Sequence, residues 1–423
     1  MHKIIAGACA GHRGDGSPGV SVFQAAGRSL RFLLLLLLAA LAIRPDFALA
    51  SDWRAWESFR QHYIQPDGRV AEHDANGRTT SEAQSYAMFF ALVHNDRRQF
   101  DSLLRWTEDN LAAGKLSERL PGWLWSKGED RDAGKDAADG NERYAWRLLD
   151  DNSASDADLW LAYTLLEAGR LWQMPRYTEL GLAVLRQVRE KEVVVLPDGT
   201  TILLPGQRGF RLSARTWRVN PSYFVPQHFA LFSRADPYGP WQALSASLPA
   251  MLISCCSSGF APDWLSYQRG FWGSGGWVVD PVRGDEGSYD AIRVYLWAGM
   301  MDADQPGRAS LLAALPGMLR HLRERIFLPE KINTRSGKTS GRAPPGFAAA
   351  MLPYLEVQGE AQLLTRQLEL LRASERDGLY GAGQHYYDQV LALFGLGYLE
   401  RRYRFSACGY LVPAWSTSVR PDC

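Results

Sequence analysis

The chain has 423 residues, 46% of them hydrophobic, and 47 basic against 46 acidic side chains give a net charge of +1. This is globular composition, which excludes the disordered and fibrous classes. A near-zero balance supplies no basic excess for phosphate-backbone binding, so nucleic acid is excluded as a partner and a neutral substrate fits best.

Residues 1–50 differ from the rest. Arg28 and Arg31 precede eleven apolar residues at 32–42, and Ala48-Leu49-Ala50 follows. A basic region, a short apolar core and a small-x-small cleavage site make a signal peptide for secretion. Eleven residues are too few to cross a bilayer, which takes about 20. Removing 1–50 takes away five basic and two acidic residues and leaves a net charge of −2. The expected location is the periplasm or the medium, with no stable membrane span after cleavage. Residues 51–423 show no linker and no second composition, and read as a single domain.

From residue 51 the pattern is mostly helical. Residues 53–64 form the first helix. Residues 81–95 are apolar on most faces and read as buried, whereas 99–113 are amphipathic. Residues 126–147 are charged, rich in Gly and Asp and without periodicity, which predicts an exposed loop beside the site. Residues 153–172 are again apolar after one turn, and 176–192 amphipathic. Residues 193–204, with Pro197-Asp198-Gly199 at their centre, read as a β-hairpin. Helices follow at 221–232 and 241–255, then a second, irregular hairpin at 263–280. Residues 288–301, 308–326, 347–357, 360–373 and 386–403 complete about twelve helices. All-round apolar helices alternating with amphipathic ones can close into a toroid, the first as an inner ring and the second outside it.

Cys255, Cys256, Cys408 and Cys423 lie beyond the leader and allow three connectivities. Cys408 with Cys423 is the expected pair, pinning the tail, and Cys255 and Cys256 read as small buried residues. There is no C-x-x-C, and the six histidines beyond residue 50 are scattered and make no H-E-x-x-H, so neither a metal nor a cofactor is expected. All 15 Trp lie beyond residue 50. So many amphipathic aromatics suit a cleft that stacks on sugar rings.

Three helices open alike, on a hydroxyl or amide followed by acids: Thr80-Ser81-Glu82, Asn152-Ser153-Ala154-Ser155-Asp156-Ala157-Asp158, and Ser288-Tyr289-Asp290. Taken singly, each pattern favours capping. Thr79-x-x-Glu82, Ser153-x-x-Asp156 and Ser155-x-x-Asp158 fit capping boxes, and Asp290 suits a positive helix terminus. If alternate helices line one cavity, however, their N-termini meet at one end of it. Carboxylates, aromatics and Arg293 would then converge, a pattern suited to glycoside hydrolysis.

Ser81-Glu82-Ala83-Gln84-Ser85-Tyr86-Ala87-Met88, the 152–158 stretch, Asn220-Pro221-Ser222-Tyr223 and Ser288-Tyr289-Asp290-Ala291-Ile292-Arg293 resemble the motifs of glycoside hydrolase family 8. With Tyr386-Tyr387-Asp388-Gln389-Val390-Leu391, they are most similar to its branch of periplasmic endoglucanases that accompany bacterial cellulose synthase. The likeness runs from about Trp53 to Trp415. It implies an all-α (α/α)6 barrel with small β-hairpin insertions, which cuts internal β-1,4 bonds of cellulose with inversion. It also implies the cellulose synthase complex as a partner. Carried over motif by motif, it makes Glu82 the general acid and Asp290 the general base. Asp156 would be the third acid, binding the distorted sugar. Tyr223, Tyr289 and Arg293 would contact that sugar or position Asp290, and Trp125 and Tyr387 would be subsite residues. Tyr86 and Asp158 join the substrate-binding set. Asp290 must stay ionised, which its helix terminus and Arg293 favour. The family usually has Gly where this chain has Ala83.

Other motifs fail. Ser336-Gly337-Lys338-Thr339 lacks the first Gly of a phosphate loop, and Gly395-x-Gly397 lies within a helix and reads as close packing. Two readings remain beside the cellulase. One is a same-family xylanase, mixed-linkage glucanase or chitosanase, the last ranking low for want of an acidic patch. The other is a glycan-binding subunit without activity.

Overall fold

Thirteen α-helices among the described residues fall into two kinds by burial, as the alternating pattern predicts. The computed structural model describes residues 53–129, 144–271, 274–416 and 423. The stretch read as a leader lies outside them, and Asp52–Cys423 form one compact unit. The helices are α1 (Arg54–Tyr63), α2 (Ser81–Val93), α3 (Arg97–Leu111), α4 (Ser155–Leu171), α5 (Pro175–Lys191), α6 (Pro226–Ala235) and α7 (Trp241–Cys255). After these come α8 (Ala291–Gly299), α9 (Arg308–Ala313), α10 (Gly317–Glu324), α11 (Pro345–Val357), α12 (Ala361–Ala373) and α13 (Tyr386–Leu399).

Helices α2, α4, α6, α8, α11 and α13 form the inner ring, each touching the next. The ring closes where Phe394 of α13 packs on Phe89 and Phe90 of α2, with centroids 5.7 and 4.6 Å apart. In α2 every residue except Glu82 is buried, and all nine residues of α8 are buried. The outer helices bury one stripe only. In α3 Phe100, Leu103, Leu104, Thr107 and Leu111 share one face of a 3.6-residue repeat, and Trp106 is buried at its edge. α3 packs on α2, α5 on α4, α7 on α6, α9 on α8, α12 on α11 and α1 on α13. This is the expected (α/α)6 barrel. Trp160, Trp297 and Phe394 fill its axis, with ring centroids 5.1–5.4 Å apart. A Cβ at Gly395 would lie 1.9 Å from the Ala349 carbonyl oxygen, so the glycine lets α13 and α11 touch by backbone, as expected of close packing.

The strands are short. β1 (Thr79–Thr80), β2 (Leu124–Glu129) and β3 (Tyr144–Asp150) form one antiparallel sheet. β4 (Val193–Val195) and β5 (Thr201–Leu203) are the first expected hairpin. β6 (Arg211–Ser213), β7 (Thr216–Val219), β8 (Leu265–Arg269) and β9 (Gly275–Val279) make a four-stranded sheet that contains the second.

Three expectations need correction. The 126–147 segment is not simply a loop. Its two ends pair as β2 and β3, because β1 offers β2 an edge to extend, and residues 130–143 lie outside the described ones. Residues 308–326 are two helices, α9 and α10, separated at Pro316, which lacks an N–H and disfavours helix at the residue before it. The 386–403 helix stops at Leu399, since Tyr403–Phe405 pairs as a strand with Leu411–Pro413.

Cys408 and Cys423 form the expected disulfide, 15 residues apart in sequence. Cys256 is buried at the end of α7, and Cys255 is half-buried beside it. Breaking the disulfide with Cys423→Ser should lower unfolding free energy by about 3 kcal/mol in the chain-entropy picture. Urea midpoints under oxidising conditions, compared with reduced wild type, measure this.

Candidate active site

None of the capping boxes read from the sequence forms. The N-cap of α2 is Thr80, whose Oγ1 accepts from the Ala83 N–H at 3.1 Å. Thr79 instead donates to the Val70 carbonyl at 2.7 Å. Glu82 is thereby free of the cap and turns into the barrel mouth. In α4 the Ser153 hydroxyl accepts from the Gln207 N–H at 3.1 Å and donates to Glu192. Ala154 is the N-cap, without a side-chain bond, and Asp156 Oδ1 accepts from the first-turn Ala157 N–H at 2.9 Å, which leaves Oδ2 for the cavity. At α8 the cap comes from another part of the chain. Asp263 Oδ1 accepts from the N–H groups of Ser288 (2.8 Å) and Ala291 (2.7 Å).

The three carboxylates meet at one guanidinium. Arg293 stands one turn into α8 with its side chain 4% exposed. Its Nη1 donates to Glu82 Oε2 and to the Tyr86 hydroxyl (3.2 Å), and pairs with Asp156 Oδ2 at 3.5 Å. Its Nη2 donates to Asp290 Oδ1 (2.8 Å) and to Ser222 Oγ (3.1 Å). Ser222 passes its own proton to Asn220 Oδ1 at 2.7 Å. A planar fork with five donors can hold several acceptors in fixed directions, which a lysine cannot.

This cluster floors a cavity of about 320 Å³. Its wall carries Trp123, Tyr223, Tyr289, Tyr386 and Tyr387. The Tyr387 hydroxyl donates to the Tyr289 carbonyl at 2.6 Å, and the Tyr289 ring meets Phe347 edge-on at 5.2 Å. Aromatic faces above carboxylates can hold a sugar ring while acid and base act on it. Among the described residues, no group of three or more His, Cys, Asp or Glu could hold a metal ion.

Glu82, Asp156, Asp290, Tyr223, Tyr289, Arg293 and Tyr387 thus all line the cavity. Tyr86 and Asp158 do not, and their reading as substrate-binding residues is corrected. They are 1% and 0% exposed, because their side chains lie in the packed core of the inner ring. Tyr86 acts from below through its bond to Arg293. Trp125 is half-buried and packs edge-on against Trp106 at 5.7 Å, outside the cavity lining, while Trp123 is part of it. Sequence reasoning missed Trp123, Tyr386, Ser222, Glu72 and Asp263. Ser222 and Tyr386 sit inside quoted motifs and were within reach. Nothing local marks Glu72 or Asp263.

Burial sets the local proton affinities. Desolvation first, then the Glu82 charge, pushes the Asp156 carboxyl well above its usual range, with Arg293 opposing. Desolvation also raises Asp290, outweighing Arg293, and Glu82 adds to the rise. Arg293 does favour the ionised form of Asp290, as expected, but burial outweighs it. Asp263 is pushed up to about 7, by burial and then by Asp290.

Comparison with known proteins places this geometry. The profile for "Glycosyl hydrolases family 8" matches residues 30–401. The chain belongs to glycoside hydrolase family 8. It is 44% identical over 393 residues to an endoglucanase of Xanthomonas axonopodis pv. citri, covering 92% of this chain and 96% of that one. It is 42% identical to an endoglucanase of Escherichia coli K12, covering 90% and 95%. Among solved structures, an endo-1,4-D-glucanase from Vibrio fischeri ES114 superposes with a TM-score of 0.74 at 37% identity, covering 86% of this chain and all but 1% of its own. This family 8 chain is accordingly a glycoside hydrolase.

Removing the central cation of the family 8 site should destabilise it strongly. Arg293→Met leaves buried Asp156 and partly exposed Glu82 and Asp290 without their partner, at a cost of about 3–5 kcal/mol near neutral pH. Protonation relieves their repulsion, so the gap to wild type should shrink as pH falls toward 5. Urea unfolding at both pH values checks the size and the sign.

Proposed function

We propose that this enzyme is an inverting endo-β-1,4-glucanase with Glu82 as general acid and Asp290 as general base. The observation that carries the reading is the convergence of both carboxylates, from separate helix N-termini, on Arg293 beneath an aromatic-walled cavity. Asp290 takes a proton from a water that attacks the anomeric carbon from the face opposite the leaving group. Glu82 gives its proton to the glycosidic oxygen as that C–O bond breaks, and the configuration inverts. Arg293 fixes the directions of both carboxylates. Asp156, buried behind Arg293, holds the distorted sugar from below, with Tyr223, Tyr289 and Tyr387 on its faces.

The names of the relatives supply the substrate: endoglucanases throughout, and an endo-1,4-D-glucanase among the structures. A neutral glucan also fits the wall. Glu72 and Asp74 line the cavity, and each has a partner: Glu72 accepts from Arg78 at 2.9 Å and Asp74 lies 3.2 Å from the His385 ring nitrogen. The basic-then-apolar start of the chain supports export to the periplasm. With the likeness to endoglucanases that accompany cellulose synthase, it supports a role on cellulose strands as they are made. The intact carboxylate set speaks against an inactive binding subunit.

On carboxymethylcellulose, wild type should lower viscosity faster than it releases reducing ends. Glu82→Gln and Asp290→Asn should each lose about 10²-fold or more in turnover with circular dichroism unchanged. Near-normal turnover in either variant would overturn the role assignment. The raised Asp290 sets a pH signature. The base works ionised, so kcat/KM should fall on the acid side as pH drops through its pKa. That limb should lie above the usual aspartate value of about 3.9.

A further inference from the structure

The first turn of a helix leaves N–H groups without partners, and a carboxylate at the cap or in the first turn ordinarily takes them. Both proposed catalytic acids stand where that would happen, yet neither does it. Asp290 is the N-cap of α8, but its backbone is helical (φ −76°, ψ −46°) and its side chain makes no capping bond. N-caps generally adopt extended backbone. Had Asp290 capped α8, its carboxylate would lie back over its own helix, away from Arg293 and the cavity.

We propose that Asp263 and Glu72 are positioning residues that take over this capping from outside the two helices and so release Asp290 and Glu82 toward the substrate. The inference rests on the acid and base assignment above. Asp263 precedes β8 and places one oxygen on both the Ser288 and Ala291 N–H groups, on either side of Asp290. Its own N–H donates to the Glu286 carbonyl at 2.9 Å, tying its loop to the same turn. Glu72, 4% exposed, works through Thr80. The Thr80 hydroxyl has one proton. Donating it to Glu72 Oε1 at 2.7 Å aims a lone pair at the Ala83 N–H, so Thr80 caps α2 and Glu82 need not. Arg78 holds the other oxygen of Glu72 at 2.9 Å and fixes the direction of the first.

The test compares kcat, KM, melting temperature and pH profile for Asp263→Ala, Asp263→Asn and Glu72→Ala, with Glu82→Gln and Asp290→Asn as controls. Both alanine variants should lose about tenfold or more in kcat, with KM within about threefold, because the reacting groups are displaced rather than removed. Asp263→Asn keeps the accepting oxygen and should restore kcat to within about threefold of wild type. Asp290 also faces Arg293, Glu82, Tyr223 and Tyr387, all unchanged in this variant. Asp263, pushed up to about 7, already holds its proton where the base titrates, so Asp263→Asn should leave the acid limb of kcat/KM in place. If Asp263→Ala does not fold, Asp263→Glu replaces it. That variant keeps the carboxyl but shifts the acceptor by one methylene, and should lose kcat without moving the limb.

Wild-type kcat in Glu72→Ala and in the Asp263 variant that displaces the acceptor would overturn the inference. So would an Asp263→Asn no better than alanine, or a lowered melting temperature with no change in kcat. Should the controls keep their turnover, it is the acid and base assignment that fails. Should the controls lose turnover while the positioning variants do not, the inference fails by itself.

Discussion

The site depends on one buried positive charge. Arg293 sits on an inner helix, almost without solvent, and three carboxylates from three different helices close on it. A lone guanidinium there would be very costly to desolvate, and so would three facing carboxylates. Together they are tolerable, though the count does not balance. One cation against three anions leaves an excess of negative charge, and in a dry cluster the least costly remedy is to keep a proton. Asp156, pushed well above its normal range, shows where that pressure falls. Such coupled groups titrate as a set. A glycosidase of the inverting kind needs this condition, one proton held and one carboxylate ready to accept another.

The barrel makes the meeting possible. The six inner helices are buried on almost every face along their length, and that includes polar groups such as Thr164, Glu167 and His228. First-turn residues are the ones left to face the mouth. Glu82 is the single residue of α2 that escapes burial, and this follows from its place in the helix rather than from its charge. Below that turn, aromatic rings fill the axis, with Trp160 and Phe394 in contact.

Periodicity made the barrel legible. The contrast between 81–95 and 99–113, repeated at 153–172 and 176–192, already separates inner from outer helices. The carboxylates were legible as candidates only, because local pattern pointed to capping. What decided against capping lies far away in sequence. Thr80 is claimed by Glu72, Ser153 by Glu192, and the α8 turn by Asp263. Distance in sequence hides such partners, and residue type does not reveal them. Tyr86 and Asp158 failed as substrate contacts for a related reason. Being near an active acid in the chain places a residue one helical step away, and in an inner helix one step leads into the core. The β2–β3 pairing escaped notice because a strand beside β1 depends on an edge that local sequence does not display.

The backbone contact at Gly395 bears on how such an enzyme can change. With α13 seated on Ala349, the spacing of neighbouring staves in this collar is set by main chain and has no side-chain slack to give. Its bore cannot widen or narrow by small repacking steps. A descendant lineage that takes a broader or a branched polymer must therefore remodel the rim, through the sheets and turns that cap the mouth, and leave the collar as it stands.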